Sequence, residues 1–410
     1  MQNQVIEALG GWEGYRVGAI DTREAEGDSG GKEVWIELLC LDASSFVCGG
    51  CGDSCRQVHD YSERWIRDLP ILGAETWLSV RRRRVVCPSC GIRIEDLPWL
   101  DPYARMTRRF IEYVTKLCEL LPIKHVADLL GLSWSTVKEL DKKRLKAVVP
   151  DLEDQDFEVL AMDEFAIQKG HRYATVILNP LNRQVLWVGR GRSREDIRPF
   201  FEALGPERCA RIKAVAMDMS ASYALELRDH CPNAEVVYDL FHVVAKYGRE
   251  VIDRVRVDEA NKLRGNRKAR KVIKGARWLL LRNWANLKRS KDRVRLQELL
   301  EANKALLKVY LLKDDLKHLW NYKYAGAAER FWKQWYDRAI RSRIDPLKAF
   351  ARKLKDYLPG ILAHARWPLH TSVLEGVNNK IKVLKRSAYG FRDDEYFFLK
   401  IRAAFPGIPR

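Results

Sequence analysis

Residues 374–386 read Leu-Glu-Gly-Val-Asn-Asn-Lys-Ile-Lys-Val-Leu-Lys-Arg, with Tyr389-Gly-Phe391 close behind. On a helix, Leu374, Val377, Ile381 and Leu384 fall at steps of three and four, the spacing of a buried stripe. Glu375, Asn378, Asn379, Lys382, Lys385 and Arg386 form the opposite stripe. One carboxylate heading a row of amides and cations suits an acid that holds a metal ion beside a phosphate backbone, whose charge the cations offset. Asp163 and Asp218 supply possible partners, because each ends a predicted apolar strand, 157–162 and 212–217. Two carboxylates on adjacent strand ends can share a divalent ion. Glu375 would complete a two-metal site, with the ions about 3.5–4 Å apart. Hard oxygen ligands favour Mg²⁺, with Mn²⁺ as a substitute, over zinc. Other acids compete for these roles. Glu164 follows Asp163, but strand alternation turns it to the opposite face. Asp239 also ends a strand, and Phe241-His242 follows it.

The elements that must position these acids are legible from period and turn chemistry. Strands are predicted over 157–162, 173–178, 184–188, 212–217 and 235–238, with a turn at 179–182. Helices are predicted from Ser193 to about 204 and over 223–230. Three strands, a helix, a strand, a helix and a strand is the order of a ribonuclease H-like α/β fold, in which the first and fourth strands are neighbours. Residues 240–370 read as helical and basic. Between Lys262 and Arg295 there are 14 Lys or Arg and one acid, Asp292. That density points to phosphate contact. The same section carries Trp278, Trp284, Trp320, Trp332 and Trp335, which are core tryptophans on the plainest reading.

The N-terminal part has a different character. Strands are predicted over 15–20 and 33–41, joined by a Gly-rich, acidic turn. Cys48-Gly-Gly-Cys51 and Cys87-Pro-Ser-Cys90 are two C-x-x-C knuckles, each aiming two thiolates at one tetrahedral zinc ion. Cys55 and His59 are spare candidates for one ligand position. A basic strand, 77–86, leads into the second knuckle. Residues 107–147 read as helices interrupted by Pro122 and by Gly131-Leu-Ser133, the form of a helix-turn-helix, with Ser133 as an N-cap. The last of these helices would expose Ser135, Thr136, Lys138, Glu139, Lys142 and Lys143 to a DNA groove.

Composition sets the outer bounds. Lys plus Arg total 73 against 55 Asp plus Glu, a formal charge of +18, which predicts a polyanionic partner. No run of apolar residues is long enough to span a bilayer, and the first residues lack a signal-peptide pattern. A cytoplasmic, nucleoid-associated protein is expected. Nine cysteines, mostly in one compact group, fit metal ligation better than disulfides.

Taken together, these motifs resemble the DDE transposases of bacterial insertion sequences, most closely the ISL-three family. The resemblance rests on the Cys knuckles, the helix-turn-helix, Ala161-Met-Asp163-Glu, Val215-Ala-Met-Asp218-Met-Ser, Val237-Tyr-Asp239-Leu-Phe-His242 and Leu374-Glu375-Gly-Val-Asn-Asn-Lys-Ile-Lys. It implies that Asp163, Asp218 and Glu375 form the catalytic triad, holding two Mg²⁺ ions, with one structural Zn²⁺ on Cys48, Cys51, Cys87 and Cys90. It implies an active-site auxiliary role for Asp239 and His242. Ser135, Thr136, Lys138, Lys142, Lys143, Asn379, Lys382, Lys385 and Arg386 are expected at DNA. Trp320, Trp332 and Trp335 are candidates to stack on a base flipped out at the cleavage site. The expected organisation is a zinc module over 1–100, a helix-turn-helix over 101–150 and a ribonuclease H-like core over 151–255 and 366–410. An all-α insertion over 256–365 would interrupt that core. The expected activity is metal-dependent cleavage and strand transfer at terminal inverted repeats, by a homodimer or higher assembly on double-stranded DNA. A transposase-derived regulator that binds DNA without cutting is the alternative, and the intact acid set argues against it.

Overall fold

A computed structural model describes residues 2–24, 31–168, 170, 172–369 and 372–408. The chain divides into two compact units, Met1–Val148 and Val149–Arg410. The Gly-rich turn expected before residue 33 lies largely outside the described residues.

The first unit opens with helix α1 (Gln2–Gly10) and strands β1 (Tyr15–Glu24) and β2 (Lys32–Cys40). A short ribbon, β3 (Phe46–Val47) with β4 (Ser54–Cys55), follows. Then come β5 (Val58–Ile71), β6 (Ala74–Cys87) and β7 (Gly91–Ile94). The main sheet runs β1-β2-β6-β5, and β7 pairs with the end of β6. Strand β5 is not anticipated by pattern. Its outer face carries exposed His59, Tyr61, Glu63 and Trp65, and its inner face follows Val58 with polar Asp60, Ser62 and Arg64, so apolar alternation is lost. Trp12, Tyr15, Ile36, Leu38, Ile66, Leu78, Val80 and Leu100 build the core beneath the sheet.

Three helices complete this unit: α2 (Arg108–Leu120), α3 (Ile123–Leu130) and α4 (Trp134–Val148). Thr107 caps α2, accepting from the Phe110 amide. Ser133 Oγ accepts from the Thr136 amide at 3.1 Å, the expected cap of α4. Gly131 takes a left-handed conformation (φ 62°). A Cβ there would press on the Glu75 carboxylate, the movable end of its side chain, so it is the left-handed backbone that asks for glycine. Phe110, Val114, Cys118, Val126, Ala127, Leu130 and Val137 pack the helices together. Buried Asp68 ties helices to sheet, accepting from Trp12 Nε1 (2.9 Å), Thr107 Oγ1 (2.6 Å) and Arg109 Nε (2.7 Å).

The second unit is built on a mixed sheet of β8 (Val159–Gln168), β9 (Arg172–Asn179), β10 (Gln184–Arg190), β11 (Ala214–Met217) and β12 (Glu235–Tyr238). The order is β10-β9-β8-β11-β12. Strands β8, β9 and β10 pair antiparallel, while β11 runs parallel to both β8 and β12. Helices α5 (Arg194–Leu204), α6 (Pro206–Arg211) and α7 (Ala221–His230) connect them, and Ser193 closes a capping box on α5. One expectation is corrected. Strand β8 does not end before Asp163 but runs five residues past it, because β9 continues to pair with it after β11 has stopped.

After β12 the chain is helical: α8 (Leu240–Tyr247), a π-helical turn at Gly248–Ile252, α9 (Asp253–Lys262), α10 (Arg267–Gly275), α11 (Arg277–Leu281), α12 (Ser290–Ala302), α13 (Lys304–Lys317), α14 (Ala325–Ile340), α15 (Asp345–Lys355) and α16 (Leu358–Leu362). It returns to the sheet as α17 (Ser372–Ser387) and α18 (Asp394–Ala404). Leu160, Met162, Val215 and Met217 face the cluster containing α5, α7 and the helical section. Val159, Ala161, Ala214 and Ala216 face the other way, onto Leu374, Val377 and Ile381 of α17 and Phe397 of α18. Period-two alternation thus divides each strand between the two layers. Among the described residues, no helix is long and apolar enough to cross a membrane.

Candidate active site and zinc centre

Strand pairing brings two of the predicted acids side by side. Ala216 of β11 is opposite Ala161 of β8. Two residues further on stand Asp163, on the face of β8 covered by α17, and Asp218, just past the end of β11 and close enough for its charge to act on Asp163. Helix α17 meets them there: Asn378 Nδ2 donates to Asp163 Oδ2 at 2.7 Å. The amide of Glu164 donates to Asp163 Oδ1 at 2.8 Å. Glu164 itself points to the other layer, where it accepts from Arg192 Nη1 at 2.8 Å.

Burial pushes the Asp163 carboxyl up to about 6, reinforced by the charges of Asp218 and Glu164. The Glu164 amide and His242 pull it the other way. Burial likewise raises Asp218, against the pull of His242, the Ser220 amide, Arg192 and Lys246. Two carboxylates held up by burial, with the Asp218 charge adding to the rise at Asp163, form a site short of positive charge. Asp218 Oδ1 and Asn378 Oδ1 are buried with no hydrogen-bond partner. Both are oxygen acceptors, so the donor set fits a hard divalent cation.

A cleft of about 820 Å³ opens at this point, lined by Asp163, Asp239, Phe241, His242, Glu375, Asn378, Asn379 and Lys382. Glu375 is exposed on the first turn of α17. Asp239 caps α8, accepting from the Phe241 amide at 2.7 Å, and so fixes the helix that carries His242. Lys385 turns away from solvent and donates to the carbonyls of Ala166 (3.0 Å) and Ile167 (3.2 Å) on β8. Asn379, Lys382 and Arg386 remain exposed.

A further part of the cleft's lining escapes sequence reading. It is the end of α11 and the turn after it, Leu281, Arg282, Asn283 and Asn286, with Lys317 of α13. Behind that lining the buried Lys313 ammonium donates to the carbonyls of Leu280 (2.9 Å) and Arg282 (3.1 Å). Burial lowers its pKa to about 8. A lysine at a core position of α13 is the available signal, and only its carbonyl partners give it meaning.

The tryptophan expectation is overturned. Trp320, Trp332 and Trp335 are 8%, 5% and 1% exposed. Trp320 Nε1 donates to the Tyr238 carbonyl and Trp335 Nε1 to that of Leu312. All three lie in the buried core cluster of this unit, so none presents a face to stack on a base. Among the described residues of the helical section, the open tryptophans are Trp278 and Trp284, at 65% and 41%.

In the first unit, the sulfurs of Cys48, Cys51, Cys87 and Cys90 all lie within 4.8 Å of one another. No other group of three or more metal-type ligands among the described residues is as close, and the three acids are less tightly gathered than these thiols. The Cys51 and Cys87 sulfurs are 3.5 Å apart. Tetrahedral zinc with ~2.3 Å bonds to sulfur spaces its ligands about 3.8 Å apart, so the cluster fits that ion. Burial raises the Cys87 thiol, but hydrogen bonds from the Cys90 and Ser89 amides and from the Cys51 and Cys48 side chains together bring it down to about 7. Cys55 is buried beside the cluster but outside it, and His59 Nδ1 lies 3.1 Å from Asp60 Oδ2.

On α4, Ser135, Glu139 and Lys143 are exposed, while Thr136, Lys138 and Lys142 are half-buried. Lys138 pairs with Glu139 at 3.3 Å.

Comparison with known proteins agrees with this architecture. A family profile described as a transposase matches residues 160–401. The helix-turn-helix domain of transposase family ISL3 matches residues 95–145. The zinc finger of transposases IS204/IS1001/IS1096/IS1165 matches residues 44–90. The chain is 53% identical over 411 residues to the transposase for insertion sequence element IS1001 of Bordetella parapertussis, covering 100% of both. It is 28% identical to the transposase for insertion sequence element IS1557 of Mycobacterium tuberculosis, over 92% of this chain and 90% of that one.

Proposed function

The chain belongs to the ISL3 family of insertion-sequence transposases, and from that premise we propose that it cuts and joins DNA at the ends of its own element with Asp163, Asp218 and Glu375. The observation that carries the proposal is the register that sets Asp163 beside Asp218 under α17, the helix of Glu375. The sheet order supports reading residues 151–255 and 366–410 as a ribonuclease H-like core, with 256–365 as a helical insertion.

The three carboxylates, with the Asn378 carbonyl oxygen, would hold divalent cations, Mg²⁺ or Mn²⁺, whose charge would polarise the scissile phosphate and its attacking oxygen. Asn378 holds the Asp163 carboxylate in one orientation. Asp239 holds α8 so that His242 faces the cleft. Lys382 presents a cation to the DNA backbone entering it. Water attack at each element end would free a 3′-hydroxyl, and that hydroxyl would attack target DNA. The four thiols would bind one structural Zn²⁺, and α4 would read the terminal inverted repeats. Two ends are cut together, so a dimer or higher assembly on DNA is expected.

The test is cleavage of duplex DNA carrying the element's own ends, with Mg²⁺, Mn²⁺ or EDTA. Asp163→Asn, Asp218→Asn and Glu375→Gln should each abolish cutting while end binding persists. Cutting at the parental rate by any of the three would refute the assignment of that acid.

A further inference from the structure

The hairpin of β5 and β6 closes through two residues, Leu72 and Gly73, with Ile71 paired to Ala74. Both have positive φ, 50° and 84°. That is the type I′ geometry, which Asn-Gly or Gly-Gly adopts freely and which strains a leucine. The side chain gains nothing from the core in return. Leu72 is fully exposed, whereas its neighbours Leu69 and Ile71 lean on the two clusters of this unit. An unfavourable backbone position spent on an exposed apolar residue points to a use outside the folded chain.

The place of the hairpin suggests that use. Arg67 Nη2 donates to the Leu130 carbonyl at 2.8 Å and pairs with Glu75, and Gly131 leaves room for Glu75. The hairpin is therefore clamped to the turn between α3 and α4. Leu72 stands only three residues beyond Glu75, at most about 10 Å along the strand. In a helix-turn-helix the start of the second helix meets base edges in the major groove. An apolar tip on a rigid two-stranded ribbon beside that point has the form of a minor-groove wedge. Such wedges use Leu, Ile or Pro side chains, which enter between base steps and kink the duplex. Here the tip reads Pro70-Ile71-Leu72. The chain as a whole carries a charge of +18, which favours DNA over a protein partner.

We propose that the β5–β6 hairpin is a DNA-binding wing and that Leu72 inserts into the minor groove flanking the site read by α4. This rests on the reading of the chain as an end-binding transposase. The test uses the zinc-loaded full chain and a labelled duplex of the element's own end, comparing the parent with Leu72→Asn and Leu72→Gly. Both substitutions suit the turn, so the thermal midpoint should hold or rise. Affinity should fall about tenfold, the scale of one lost sequence-reading contact. DNA bending, read by end-to-end energy transfer, should shrink. The salt dependence of binding should not change, because no phosphate contact is lost. Parental affinity and bending in both variants would overturn the wedge while leaving end binding intact. A parent that does not bind its own end would sink the end-binding reading, and the wedge with it.

Discussion

Asn378 and Asp163 are 215 positions apart in sequence, yet the Asn378 amide donates to Asp163 Oδ2 at 2.7 Å and is the direct tie between α17 and the acid on β8. Its own carbonyl oxygen is buried with no hydrogen-bond partner. One side chain thus orients a carboxylate and offers a further oxygen to the same space. Outer partners of this kind are typically worth 10–100-fold in metal affinity or activity, on the order of 1–3 kcal/mol. Asn378→Ala should therefore slow end cleavage by about that factor and weaken metal activation, with end-DNA affinity unchanged. A variant that cleaves at the parental rate would show that the amide does not orient Asp163.

The raised Asp163 carboxyl makes a pH prediction whose sign is fixed. Its ordinary value is 3.8 and burial brings it to about 6. Between these limits the folded protein holds more protons than the unfolded chain, so this group's stabilising contribution is complete below about pH 4. It is lost as pH rises through 6. Asp218 shifts in the same direction. In EDTA, Asp163→Asn should gain stability relative to the parent as pH rises from about 4 to about 6, with no further gain above. The measurement is urea unfolding of both proteins across that range. A difference independent of pH would remove the perturbed carboxyl.

The cysteine geometry separates ligands from a bystander. Cys48, Cys51, Cys87 and Cys90 should bind one zinc ion per chain, while Cys55 packs against them without joining. Cys51→Ser should lower zinc content and destabilise the first unit, whereas Cys55→Ala should keep full zinc occupancy. Metal analysis of the purified variants checks this, and the reverse pattern would reassign the site.

The tryptophans of the helical section divide by burial. Trp335→Ala should cost about 3–5 kcal/mol of stability, as expected for a buried aromatic. Trp284 is exposed, and Asn283 and Asn286 on either side of it line the cleft. Trp284→Ala should change stability by less than about 0.5 kcal/mol yet slow end cleavage about tenfold, the scale of one lost base stack. Unchanged cleavage would leave the DNA contact to other residues.

Much of this protein is legible in its sequence because the signals are local. The knuckle spacing, the Pro122 and Gly131 breaks, the Ser133 cap and the Leu374–Val377–Ile381 stripe each depend on neighbours within a few residues. Turn chemistry and helical period fix such features without reference to the rest of the chain. Strand β5 was lost for the same reason: its polar faces break the alternation on which strand reading depends.

Contacts between distant residues needed the tertiary structure. The pairing register of β8 with β11 sets Asp163 beside Asp218, and packing of α17 delivers Asn378. Folding of the helical section decides that Trp320, Trp332 and Trp335 are core, and that Leu281 to Asn286, held by Lys313, form a wall of the cleft. Residue type and spacing determined which groups could do chemistry. Burial and register, which depend on residues as far as 215 positions away, decided which of them meet.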